Sequence, residues 1–288
     1  MMADITWKLN GGRALGPAPF FIAGIVNVTP DSFYDGGLHA SAGSAVEHAV
    51  RLAAQGADIL DIGGESTRPY ADPVSLEQEM ERVVPVVREL SQMQMRGPDG
   101  EDVWPLISVD TYKAGVAAAA LEAGAEIIND VSACAFDPQL VDVLGQYKPG
   151  YVLMHSLGRP ETMQDEPHYD DVVDSIMLFF EQKLNVLQKA GLPAERVVLD
   201  PGIGFGKTLE HNFQILRNIE RFMDFGLPVY MGLSNKSLWQ GLLGLGPEDR
   251  CNATQVATAL LAARGVAIHR VHEVALTRQS LTIVREMA

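Results

Sequence analysis

Eight short runs rich in Val, Ile and Leu recur along this chain, each followed by a longer helical stretch, and that alternation restricts the fold more than any other feature. The apolar runs span residues 21–29, 57–64, 106–111, 126–131, 150–155, 196–200, 228–234 and 266–272. The helical stretches span 41–55, 75–94, 113–123, 138–145, 169–190, 210–223, 252–264 and 274–287. Strands that are apolar throughout, rather than at every second position, are buried on both faces, as in parallel sheets wrapped by helices. Gly56, Gly124, Gly191, Gly226 and Gly265 stand between a helical stretch and the next strand, where a helix stop is expected. Eight such units in 288 residues fit an α/β fold, one closed (β/α)8 TIM barrel of parallel strands, which takes about 250 residues. No linker or shift in composition divides the chain, so residues 1–288 read as a single domain. A doubly wound open sheet has the same periodicity and stays open as the alternative, because strand order is not written in it.

Charge and cysteine usage exclude several classes of partner. With 22 Lys and Arg against 37 Asp and Glu the formal charge is −15, which leaves no basic face for nucleic acid. No run of about 18 apolar residues suggests a membrane span, and residues 1–12 lack the basic and apolar regions of a leader. Cys134 and Cys251 are too few for a disulfide framework, so a cytoplasmic protein is expected.

The polar chemistry sits at one end of every strand. Asn27 closes the first run, and Glu65, Thr67 and Arg68 follow the second. Asp110 ends the third, and Asn129 and Asp130 lie in the fourth. Met154 and His155 end the fifth, Asp200 the sixth, Ser234 and Lys236 follow the seventh, and Arg270 and His272 end the eighth. In a barrel these carboxyl ends meet at one mouth, where substrates bind. A carboxylate directly after an apolar run is costly to bury without a partner or ligand. Asp and Asn on neighbouring strands suit a flat heterocycle with amino and ring N–H donors, since one carboxylate takes two parallel N–H bonds. Arg68, Lys236, Arg270 and His272 bring cations to the same mouth, as an anionic group on the substrate requires. A diphosphate is one such group, with Asn27 and a hard cation such as Mg²⁺ sharing its oxygens. No His, Cys, Asp and Glu cluster has zinc-ligand spacing.

Several features have plainer readings. Between Gly202 and the Gly206-Lys207 pair lie three residues, one short of a phosphate loop, and Lys207 stands where a dinucleotide fingerprint needs Gly. The glycines of this loop are expected to let it approach a ligand closely. On a strand His269 and His272 face opposite sides, so His269 is a packed or solvent residue while His272 borders the mouth. His155 either fixes the loop after it or faces the site; His39, His48, His168 and His211 read as surface or capping residues. Loops 28–39 and 64–74 are long, rich in Gly and Pro, and carry Phe33 and Arg68, as mobile lids after strands 1 and 2 would.

These segments resemble the dihydropteroate synthase family. Asn27-Val28-Thr29-Pro30-Asp31-Ser32-Phe33 with Asp35-Gly36-Gly37 is similar to its first signature, and Asp61-Ile62-Gly63-Gly64-Glu65-Ser66-Thr67-Arg68-Pro69 to its second. Ser108-Val109-Asp110-Thr111, Ile128-Asn129-Asp130-Val131, residues 200–207 and Arg270-Val271-His272 continue the match in order. The resemblance implies a barrel that joins 6-hydroxymethyl-7,8-dihydropterin diphosphate to 4-aminobenzoate, giving dihydropteroate and diphosphate. By motif position, Asp110, Asn129, Asp200 and Lys236 would hold the pterin, Met154 and Phe205 would line its slot, and Arg270 would stack over it. Asn27 would bind Mg²⁺, while His272, Arg270, Arg68 and Thr67 would contact the diphosphate. Ser237, opening a short helix over 237–243, would receive the benzoate carboxylate, and Pro69, Phe33 and Phe205 would sandwich its ring. Asp200, Lys236, Arg270 and His272 are the implied catalytic set. The family suggests a homodimer; the Ala-rich helix 252–264 offers a face that packs closely either against a second copy or within the chain.

The chain departs from the family pattern at the benzoate side: Asn235 replaces the Arg of the common Ser-Arg-Lys-Ser, Tyr70 follows Pro69, and Glu273 follows His272. Two rival readings share the pterin pocket: a methyltetrahydrofolate-binding methyltransferase, and a paralogue that binds pterin without condensing it.

Overall fold

An amino-terminal hairpin, β1 (Ile5–Lys8) and β2 (Ala14–Ala18), leads into the first barrel strand in the computed structural model, which describes residues 3–28, 37–66, 73–159 and 162–287. The barrel strands are β3 (Phe21–Asn27), β4 (Ile59–Gly63), β7 (Leu106–Asp110), β8 (Ile127–Asp130), β9 (Gly150–Met154), β10 (Val197–Asp200), β11 (Tyr230–Met231) and β12 (Ile268–Val271). A two-residue pair, β5 (Met95–Arg96) with β6 (Asp102–Val103), lies outside them. The eight barrel strands pair in parallel in the order β10-β9-β8-β7-β4-β3-β12-β11. A parallel bridge between Leu199 and Val229, and Leu199 N donating to Pro228 O at 3.0 Å, bring β10 and β11 together and close the ring. The alternation therefore produces the barrel and not the open sheet.

Nine helices are described around the barrel: α1 (Gly37–Ala54), α2 (Leu76–Leu90), α3 (Ala114–Ala123), α4 (Leu140–Tyr147), α5 (Val172–Lys189), α6 (Leu209–Arg217), α7 (Leu238–Leu243), α8 (Cys251–Ala263) and α9 (Val274–Met287). Their starts carry the expected chemistry: Ser75 and Gln78 form a capping box on α2, Thr208 and His211 one on α6, and Asp171 caps α5. All five punctuating glycines take positive φ, between 68° at Gly226 and 114° at Gly124. The stretch 210–223 does not run as one helix; α6 stops at Arg217 and a 3₁₀ segment (Ile219–Phe225) continues it.

Side-chain alternation along the strands makes two cores. Outward residues, among them Ile22, Leu60, Val109, Leu153 and Leu199, pack under the helices. Inward residues Phe21, Ala23, Ile59, Leu106, Ile127, Val152, Val198, Tyr230 and Ile268 fill the amino-terminal end of the barrel. The hairpin β1–β2 plugs that end: Trp7 is fully buried against the inward residues, and its indole N–H donates to Arg196 O at 2.8 Å. The strand–helix alternation begins at residue 21 and does not announce this hairpin. The signal was there in Asn10-Gly11-Gly12 between two short runs, a hairpin turn pattern.

Candidate active site

The inward face of each strand changes character within two residues. Ile59, Leu106, Ile127, Val152, Val198 and Ile268 lie in the apolar inner core; two positions later on the same face stand Asp61, Ser108, Asn129, Met154, Asp200 and Arg270. Asp110 and His272 follow two further on. Asn27, Gly63, Asp110 and Asn129 sit in register across four adjacent strands, and Asp200 pairs with Met154. The barrel thus gathers Asp110, Asn129, Met154, Asp200 and Arg270 into one cup at the carboxyl end. Tyr230, inward on β11 and 1 % exposed, forms its floor.

Asp61 is the residue that sequence reasoning missed. It lies in the second signature segment, yet it reads there as one more strand residue. Its carboxylate is fully buried and accepts from Ser108 Oγ at 2.6 Å, Asn129 Nδ2 at 3.0 Å and Arg270 Nε at 2.6 Å. Arg270 also donates through its Nη2 to Asp110 Oδ2 at 2.7 Å. Asp110 Oδ1 is buried and has no hydrogen-bond partner among the described residues, an acceptor left unsatisfied by the protein. Burial pushes the Asp110 carboxyl up to about 7; Arg270 opposes that rise and the Asp61 charge adds to it.

Asp200 holds the opposite wall. Its Oδ1 accepts from Gly202 N at 2.7 Å, and burial raises its pKa against the pull of Lys236. The Lys236 ammonium donates to Ile203 O and lies 4.6 Å from the centre of the Phe205 ring, a cation–π contact. Burial lowers Lys236 to about 8, with Asp200 working the other way. The glycine loop therefore touches the site through Phe205 and Lys236, but two of its glycines serve a different purpose from the one expected. A Cβ on Gly202 would lie 1.9 Å from His155 O, and one on Gly206 would lie 2.5 Å from Leu157 Cβ. They let the loop pack against residues 155–157 of the neighbouring strand end, not against a ligand. Lys207 ties the same contact, donating to Gly202 O at 2.9 Å and Phe205 O at 3.0 Å and meeting His155 Nδ1 at 3.0 Å. His155 is buried, pushed down to about 2 by burial and by Lys207, so it fixes the loop as a neutral ring.

Other polar strand ends turn away from the cup. Asp130 has the outward parity of Ile128 and accepts from Ser132 N, Cys134 N and Tyr151 Oη. His269 is buried behind the barrel wall with Nε2 3.1 Å from Val266 O, the packed residue expected of it. Glu65 is engaged by Lys113 and, at 3.0 Å, by Tyr112 Oη, and Lys113 also pairs with buried Glu79. Of the remaining candidates, Asn27 is exposed at the rim, and His272 Nδ1 lies 2.8 Å from Ser234 Oγ beside the cup. Ser237 is exposed at the start of α7 and makes no capping hydrogen bond. Asn235 takes a left-handed conformation, φ 56°, and buried Arg250 holds its carbonyl at 3.0 Å. Phe33, Thr67, Arg68 and Pro69 lie outside the described residues, with most of both proposed lids.

Comparison with known proteins points the same way as the cup. Residues 23–272 match the profile of the family described as pterin binding enzyme. The dihydropteroate synthase of Escherichia coli K12 is 41% identical over 273 residues, 95% of this chain and 93% of that protein. A solved structure of Xanthomonas albilineans dihydropteroate synthase with 4-aminobenzoic acid superposes with a TM-score of 0.88 at 40% identity, covering 99% of this chain and 98% of the other. The same enzyme in complex with 7,8-dihydropteroate gives 0.85 at 38% identity, covering 98% of each.

Proposed function

The chain belongs to the pterin binding enzyme family, and from that membership and its cup we infer that it joins 6-hydroxymethyl-7,8-dihydropterin diphosphate to 4-aminobenzoate, giving 7,8-dihydropteroate and diphosphate. This is the dihydropteroate synthase reaction of folate biosynthesis, and the chain is a transferase. The observation that carries the reading is the convergence of Asp110, Asn129 and Asp200 with Lys236 on one buried cup, with Asp110 Oδ1 left open to a donor.

The site residues support a dissociative displacement. Ring N–H and amino groups of the pterin donate to Asp110 and Asp200, and Asn129 meets the ring edge with its amide. The electron-rich ring helps expel diphosphate, which leaves with the bonding pair of its C–O bond and places positive charge on the exocyclic methylene and ring. Asp200 faces that charge, a preorganised electrostatic contribution. The aniline nitrogen then bonds to the methylene and releases its proton. His272 and Arg270 face the departing oxygens; the family resemblance assigns the same role to Thr67 and Arg68, which lie outside the described residues. Phe205 with Met154 forms the wall of the ring slot; the family resemblance assigns the benzoate ring to Phe205 together with Phe33 and Pro69, which lie outside the described residues, and its carboxylate to Ser237.

Among the described residues no group of three or more His, Cys, Asp or Glu could hold a metal ion. Asn27 offers a single exposed amide oxygen, which fits a Mg²⁺ that takes its other ligands from water and phosphate. Asn27 would hold the ion, which when bound would supply charge neutralisation for the diphosphate.

We also propose a homodimer, formed by the outer faces of α8 and α9. Alanines of α8 serve the chain's own packing: Ala253 and Ala257 pack against the core, and Ala262 is fully buried. Val256 and Leu260 on α8, with Leu276, Ile283 and Met287 on α9, are exposed instead. No described helix is long and apolar enough to cross a membrane. Both cysteines are free, which supports a reducing, cytoplasmic setting.

The test is dihydropteroate formation by the purified protein, followed chromatographically with and without Mg²⁺. Benzoate-dependent release of diphosphate that needs Mg²⁺ is expected. Pterin binding with no product would favour the silent paralogue, and methyl transfer without benzoate the methyltransferase.

A further inference from the structure

We propose that Asp61 is a positioning residue of the cup, holding Asn129 and Arg270 in the orientations that a bound ring requires. The proposal rests on the reading of the cup as the pterin site. Among the described residues Asp61 is the point where the site residues converge, taking one bond each from Ser108, Asn129 and Arg270 at 0 % exposure.

Two consequences follow from the chemistry of those bonds. A carboxylate only accepts, so Asn129 must turn its amide nitrogen toward Asp61 and its oxygen away. The donor and acceptor order that Asn129 shows to the ring is thus set from behind by Asp61. The second consequence concerns Arg270, which bridges Asp61 through Nε and Asp110 through Nη2. The Asp110 bond takes Oδ2 and leaves Oδ1 without a partner, so a single ring N–H reaches Oδ1, while a parallel pair of N–H donors that needs both oxygens must displace Nη2 from Oδ2. Asp61 keeps the guanidinium partnered when that happens, at 22 % side-chain exposure where an unpaired charge would be costly. Without the Asp61 charge, Arg270 would have Asp110 as its sole carboxylate and would hold the ring seat closed.

Both effects fall on the pterin and neither on the benzoate, which separates positioning from a general structural role. In Asp61→Asn the KM for pterin diphosphate rises at least about tenfold, while the KM for 4-aminobenzoate stays within about twofold and the protein melts as a folded domain. A folded variant with unchanged pterin KM, or with both KM values raised alike, would overturn the proposal. A second measurement needs no variant: the structure of the unaltered protein with a neutral oxidised pterin. It is expected to keep Arg270 Nε and Asn129 Nδ2 on Asp61 while Arg270 leaves Asp110. A ring seated on Asp110 and Asn129 with Arg270 detached from Asp61 would overturn it. If the unaltered protein neither binds pterin nor forms dihydropteroate, the reading of the cup fails; if it does both and Asp61→Asn behaves as the parent, only the role of Asp61 fails.

Discussion

The two ends of the barrel interior are built on the same face of the same strands, yet they differ in nearly every physical respect. At the amino end Phe21, Ile59, Leu106, Ile127, Val152, Val198 and Ile268 close over Trp7 with no charge among them. Two residues further along, Asp61, Asn129, Asp200 and Arg270 stand on that face; charged hydrogen bonds join Asn129 and Arg270 to Asp61, Asp200 accepts from the Gly202 backbone, and Asp110 Oδ1 is left without a partner. The lower layer stabilises by removing apolar surface from water, at about 25 cal/mol per Å². The upper layer holds charges in a buried place where they become useful only with a ligand. Stability and chemistry are therefore separable by position along a strand, and substitutions at the two ends should report on different quantities.

The largest expected effect is at the plug. Trp7→Ala leaves a cavity under the barrel and should cost about 3–5 kcal/mol of unfolding free energy, with kcat and both KM values of the remaining folded protein unchanged. Denaturant unfolding and steady-state rates measured on the same preparation check this, and a loss of kcat without loss of stability would break the separation. Next is Asp200→Asn at the cup, which should lower kcat about 10²–10³-fold with soluble yield and Tm preserved. Normal turnover in that variant would remove electrostatic stabilisation from the mechanism.

A smaller effect sharpens the comparison through pH. Binding of a neutral oxidised pterin, followed by calorimetry, should be tightest between about 7 and 8. Below that range Asp110 takes up a proton and loses the charge that strengthens its bonds to the ring; above it Lys236 releases one and the charge facing Asp200 is lost. Affinity should fall about tenfold per pH unit beyond either limit. A flat profile would mean that neither group meets the ring. The smallest effect lies at the rim, where Asn235→Arg should lower the KM for 4-aminobenzoate about threefold and cost about 1–2 kcal/mol of stability for its left-handed backbone.

Much of this organisation is legible in the residues themselves. Period and composition identify the eight strands, and the polar ends name most of the cup, because strand position and side-chain direction are local properties. What local patterns do not carry is which polar strand end meets which. Asp130 and Asn129 are adjacent in the chain, but parity sends one to the helix layer and the other into the cup. Asp61 escaped notice because its importance is a matter of three partners on other strands, 47, 68 and 209 residues away. The glycines at 202 and 206 were read as ligand-facing because a sequence does not say that residues 155–157 lie against them.

The most direct measurement is a titration of neutral oxidised pterin into the parent protein and into the Asp110→Asn/Asp200→Asn double variant, with Tm recorded for both. One ring bound per chain in the parent, and affinity reduced at least about a hundredfold in a double variant that still melts cooperatively, is the predicted result. Equal affinity in the two proteins would contradict the assignment of the cup as the place where the ring is held.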